Sequence, residues 1–166
     1  MHIHSNHSHN ITNKHASKIE KNYDLVVLIA MFLCGSSFAN DEYFSCDTAK
    51  GIIKLDVNKD ELQYTLTKGR KSEFTYESKG NDFSGFKYNH YSRFQTDYLN
   101  VSFVNAGYKY TMFSNYEDEN ESRGVSVTNL KTKKESVYDC KSVGIDRLSD
   151  LSSKLACDKD SALGCE

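Results

Sequence analysis

Proline and tryptophan are both absent from the 166 residues. Without proline, no ladder is interrupted by a missing donor, so long continuous strands are permitted. An excess of one charge is also lacking: the formal net charge is −2. Discarding residues 1–39 would leave 18 basic against 21 acidic side chains, a net of −3. That balance lacks the dense positive surface on which nucleic-acid binding depends. Long apolar runs are missing too. The longest is Leu25–Cys34, well short of the roughly 20 residues a helix needs to cross a bilayer. Catalytic signatures are equally scarce. There is no G-x-S-x-G and no C-x₂-C, and beyond residue 39 His90 is the only imidazole, which leaves hydrolase triads and zinc sites without their parts. The expectation is a non-enzyme with no cofactor and no metal.

What is present begins with a leader. Lysines precede Leu25–Cys34, and Gly35-Ser36-Ser37-Phe38-Ala39 follows, the order of a secretory h-region and a small-x-small cleavage site. Residues 1–39 are read as a leader removed after Ala39, and a start nearer Ile19 would explain its length (1–18 then being mis-assigned). Leu33 before Cys34 is a poor match to an acylation site. His2, His4, His7, His9 and His15 could together hold a transition metal, but all lie on the discarded side.

Four cysteines remain: Cys46, Cys140, Cys157 and Cys165. They allow three pairings. The favoured one is Cys46–Cys140 with Cys157–Cys165, because Cys46 lies in the first strand and Cys140 in the last. Disulfides place the protein in an oxidising compartment, periplasmic or secreted.

From Asn40 onward apolar residues recur with period two. Ile53, Leu55 and Val57 alternate with polar residues, as do Leu62, Tyr64 and Leu66, then Leu99, Val101 and Phe103, then Tyr108, Tyr110 and Met112. Turn residues separate the runs, at 57–60, 68–69, 79–82, 105–107 and 131–134. The spacing predicts an all-β domain over 40–143, an antiparallel meander of eight or nine strands forming a small barrel or a sandwich. Over 144–166 the period changes. Ile145, Leu148, Leu151 and Leu155 recur at steps of three and four, which predicts one short C-terminal helix before a disulfide-closed tail.

Several segments invite a functional reading. Asp56-Val57-Asn58-Lys59-Asp60 opens like a calcium loop, but Glu61 stands where glycine is needed and Thr67 where a bidentate Glu is needed, so an Asx-type hairpin turn is expected. Glu117–Glu121 holds four carboxylates and is read as a solvated loop tip rather than a cation or basic-partner site. Phe86-Lys87-Tyr88, Tyr91-Ser92-Arg93-Phe94 and Tyr108-Lys109-Tyr110 interleave bases with aromatics. A single-strand nucleic-acid platform has this pattern, as do strands with rings inward and lysines outward. On a chain of this charge, a protein-binding surface suits the segments better.

Two resemblances follow from these residues. Phe44-x-Cys46-x-Thr48, Tyr91-Ser92-Arg93-Phe94, Tyr108-x-Tyr110 and Gly124-Val125-x-Val127 resemble a group of small secreted Gram-negative proteins of unknown function. Ser84-Gly85-Phe86-Lys87-Tyr88 is similar to the S-G-x-x-Y segment of the bacterial inhibitors of C-type lysozyme, whose β-barrels insert this loop into the lysozyme cleft. That resemblance implies a partner-binding site at Ser84, Gly85, Lys87 and Tyr88.

The function expected is therefore an exported, monomeric protein-binding module. Its partner would be a lysozyme-like hydrolase or a toxin delivered into the periplasm. A lipocalin-type small-molecule binder is the alternative, and an unrecognised hydrolase the third possibility. A dry, packed interior with an exposed tyrosine-rich loop would point to the first. A cavity on the order of several hundred Å³ would point to the second.

Overall fold

The computed structural model describes residues 41–80 and 82–165. The expected leader, the expected cleavage site after Ala39, Cys34 and the histidine tract lie outside the described residues. Asn40–Glu166 is one compact unit, and it is all-β. The expected meander is present as nine strands: β1 (Glu42–Thr48), β2 (Gly51–Asn58), β3 (Glu61–Lys68), β4 (Lys71–Glu77), β5 (Phe86–Arg93), β6 (Thr96–Asn105), β7 (Tyr108–Glu117), β8 (Asn120–Asn129) and β9 (Glu135–Asp139). Two more, β10 (Ser142–Asp146) and β11 (Ala156–Cys157), come from the segment in which a helix was expected.

The strands form two sheets and no closed barrel. One has the order β10-β1-β2-β3-β4, the other β11-β5-β6-β7-β8-β9. All pairings are antiparallel except β11 with β5. Hairpin chemistry fixes the meander. Lys59-Asp60, Ala106-Gly107 and Asp118-Glu119 each form two-residue turns with positive φ at both positions, the twist that suits a tight hairpin. The calcium-like segment is thus a β2–β3 hairpin, in which burial and then the charge of Glu42 hold the Asp56 carboxyl above its usual range.

Side-chain alternation puts Ile53 and Leu55, Leu62 and Tyr64, and Leu99, Val101 and Phe103 into the core between the sheets, all nearly inaccessible. Burying such a side chain contributes about 1.5–3 kcal/mol. The rings show how the sheets cross. Phe86, Phe103 and Tyr110 sit side by side across β5, β6 and β7. From β4, Tyr76 stacks on Phe103 at 4.2 Å and meets Phe86 edge-on at 5.3 Å, while Phe74 stacks on Tyr110 at 5.1 Å. One strand of the first sheet therefore runs along a row that traverses the strands of the second, as in steeply crossed sandwiches.

The expected C-terminal helix is replaced by strand β10 and a single 3₁₀ turn, Leu148–Leu151. Ile145 lies opposite Ser45 on β1, whose open edge takes β10 and satisfies its backbone groups; a helix of some ten residues has little stability of its own. Leu148, Leu151 and Leu155 are nonetheless buried, so the apolar spacing does mark the core face. β10 also spans the expected boundary between residues 143 and 144.

Both disulfides have the expected partners, Cys46–Cys140 and Cys157–Cys165. Cys140 follows β9 and precedes β10, so the first bridge ties β1 to the corner where the chain changes sheets. The tail beyond β11 is pinned by Asn89, whose side-chain amide donates to the Asp158 and Gly164 carbonyls at 3.0 and 3.1 Å. Burial works against ionisation of Asp158, but the hydrogen bond from Lys109 (2.7 Å) and the charges of Lys109 and Lys87 hold its carboxyl below the usual range.

Candidate functional site

The inward row across the second sheet diminishes in size. Phe86, Phe103 and Tyr110 are followed in register by Val127 on β8 and Ser136 on β9. Where the row carries rings, β4 packs against it. Where it falls to a valine and a serine, the sheets have nothing to close on, and a cleft of about 600 Å³ opens. Ile53, Tyr64 and Leu66 form its wall on the first sheet, and Tyr110, Val125 and Val127 its wall on the second. Turn residues surround the mouth, because antiparallel meanders return every second turn to the same end.

The walls are apolar and aromatic, and the tyrosines stay neutral. Burial, reinforced by neighbouring Tyr110, raises the Tyr64 phenol far above its ordinary value; burial and then Tyr108 raise Tyr110. No hydrogen bond is made to either hydroxyl among the described residues. Both can serve a ligand as donors. Among the described residues, Lys50, Lys68 and Lys134 line the mouth with a single carboxylate, Glu73. Lys50 Nζ is held 5.5 Å from the centre of the Tyr138 ring, a cation–π contact that positions the ammonium without neutralising it.

The segment Ser84–Tyr88 lies elsewhere and is divided between loop and strand. Ser84 Oγ donates to the Lys79 carbonyl at 3.2 Å, and the Ser84 carbonyl accepts from the Lys79 N–H at 3.1 Å, which closes the loop on itself. Gly85 has φ +99°, a backbone conformation that disfavours any side chain, and a Cβ there would also meet the Tyr76 hydroxyl of β4 at 2.6 Å. Phe86 begins β5 and is fully buried. Lys87 points outward to Asp158 at 3.6 Å, and β11 pairs alongside Lys87 and Tyr88.

The interleaved segments follow strand alternation. Tyr88 and Tyr110 pack against the core, while Lys87 and Lys109 converge on Asp158 on the outer face. At the far end of the second sheet, the β5–β6 hairpin carries Phe94 at its tip, 88% exposed. The acidic β7–β8 tip is tied beside it, the Asp118 N–H donating to the Gln95 carbonyl at 3.0 Å. Arg93 lies 5.7 Å from the centre of the Tyr91 ring. His90 Nε2 meets Asp97 at 3.1 Å, a half-exposed pair on the strands leading to that tip.

The wall residues were visible in the sequence as inward strand positions, but no signal marked them as lining a gap. The lysines carried a weak one, since Lys50 and Lys68 fall in turns one hairpin apart. Among the described residues no helix is long and apolar enough to cross a membrane. In comparisons with known proteins, the chain matches no family model, no curated protein and no solved structure.

Proposed function

We propose that this protein is an exported, non-catalytic binding protein that takes a small, largely apolar molecule into the cleft between its two sheets. The cleft volume carries this proposal: about 600 Å³ lies within the roughly 300–1,000 Å³ of small-molecule sites, whose walls are likewise apolar with a few polar groups. Export is supported by Leu25–Cys34 with its small-residue boundary, and both disulfides are compatible with an oxidising periplasmic or extracellular setting. A binding role suits a cleft whose lining, among the described residues, has one carboxylate and neither histidine nor thiol.

The neutral fluorophore N-phenyl-1-naphthylamine tests the cleft. Its emission is expected to rise and saturate at micromolar protein. Val127→Trp, which places an indole where the row is narrow, is expected to weaken binding at least about tenfold with the thermal transition retained. If wild-type protein gives no saturable signal, the cleft is not a ligand site.

A protein partner is the second reading, and Phe94 supports it, because an almost fully exposed ring beside Arg93 and Tyr91 has the character of an interface anchor. The lysozyme-inhibitor form of this reading makes a direct prediction. Micromolar protein slows a C-type lysozyme, and Phe94→Ser or Ser84→Ala with Lys87→Ala removes the effect. An unchanged lysozyme rate with wild-type protein ends it.

A further inference from the structure

We infer that the cleft selects an amphiphilic monoanion, a molecule with one carboxylate or sulfonate and an apolar chain or ring. This rests on the proposal that the cleft binds a small molecule, and goes further by assigning the ligand's charge and its orientation. The residues from 40 onward carry a net charge of −3, yet among the described residues the cleft is lined by Lys50, Lys68 and Lys134 against only Glu73. An acidic protein has thus gathered positive charge around this large apolar opening. None of the three lysines forms an ion pair among the described residues, so their ammonium groups are not already committed to carboxylates of the protein.

Position sets the orientation. The lysines belong to the turns and strand ends at the mouth, whereas Leu66, Val125 and Val127 form the walls. An anion entering headgroup-last leaves its charge at the ammonium groups, in partial contact with water, and buries its apolar body. Deep burial of the charge would cost far more than the wall could return. A neutral molecule of the same shape gains the wall and forgoes the lysines. A cation meets three like charges. A free amphiphile is preferred to a lipid surface because the site is a recess between sheets with its apolar groups inside, not a projecting apolar face that could enter a bilayer.

The experiment uses two dyes with one aromatic skeleton, 1-anilinonaphthalene-8-sulfonate and the neutral N-phenyl-1-naphthylamine, titrated into the purified protein at low salt. The sulfonate is expected to bind about tenfold tighter, with the ratio shrinking as salt screens the lysines. Decanoate is expected to displace it. Lys50→Gln/Lys68→Gln/Lys134→Gln is expected to bring the two affinities together by weakening the sulfonate alone, and Val127→Trp to weaken both. Equal affinities in wild type overturn the anion preference and leave the cleft standing as a neutral site. A preference that survives the triple substitution, or sulfonate binding that survives Val127→Trp, also overturns it, since the anion is then held elsewhere. If neither dye saturates, the binding cleft itself is refuted.

Discussion

Replacing Cys140 with serine is expected to lower the unfolding free energy by about 4–5 kcal/mol. Cys46 and Cys140 are 94 residues apart, so the bridge closes a loop holding most of β1 to β9 and removes a large share of the unfolded chain's freedom. Urea unfolding of oxidised wild type and variant measures the difference. Cys165→Ser is the internal comparison: it opens a loop of separation 8, worth about 2–3 kcal/mol in the same chain-entropy account. Cys46→Ala/Cys140→Ala should behave like Cys140→Ser, which separates loss of the cross-link from effects of the unpaired, buried Cys46 thiol. Equal losses at the two bridges would show that loop length is not what sets their contributions. Since domains of this size are stable by only about 5–15 kcal/mol, the longer bridge contributes a substantial part of the total.

Phe103→Ala is expected to cost a further 3–5 kcal/mol or so. The Phe103 ring is 2% exposed and touches rings on both sheets: Tyr76 at 4.2 Å, Tyr110 at 4.9 Å, Tyr64 at 5.1 Å, Phe86 at 5.2 Å and Phe74 at 6.3 Å. Truncation removes the common neighbour of all five, and an enclosed ring cluster cannot collapse fully into the space. Phe103→Leu keeps most of the volume and should recover more than half of the loss. Phe94→Ala supplies the contrast. That ring is 88% exposed, and its removal should change stability by no more than about 0.5 kcal/mol. A loss at Phe94 comparable to that at Phe103 would mean the hairpin tip is packed in solution.

Period-two alternation made the meander legible, because a pleated strand with one buried face leaves that trace in composition whatever lies opposite. The Cys46–Cys140 pair followed from the same pattern. The runs put Cys46 in the first expected strand and Cys140 at the end of the last, so a bridge between them would tie the two ends of the meander together. Three-and-four spacing located Leu148, Leu151 and Leu155 on the core face, yet it misjudged their backbone. Spacing reports which side chains are buried, but not whether a neighbouring strand edge is open to pair, and here the edge of β1 took β10. The S-G-x-x-Y segment illustrates a similar limit. Its residues could be read as a loop, but Phe86 belongs to the ring cluster and β11 covers the edge beside Lys87 and Tyr88.

Composition and alternation by themselves determined the class of fold and the inward residues of the alternating runs, and they favoured, among three pairings, the one that the cross-links have. Only the tertiary structure decided sandwich over barrel, and with it the cleft. Which strands of two sheets face one another is set by twist and crossing, contacts between residues far apart in the chain that no local pattern encodes. The narrowing from Phe103 and Tyr110 to Val127 and Ser136 spans four strands. Read along the chain these are ordinary strand positions, and they become a taper, with three lysines at its open end, only when the register sets them side by side.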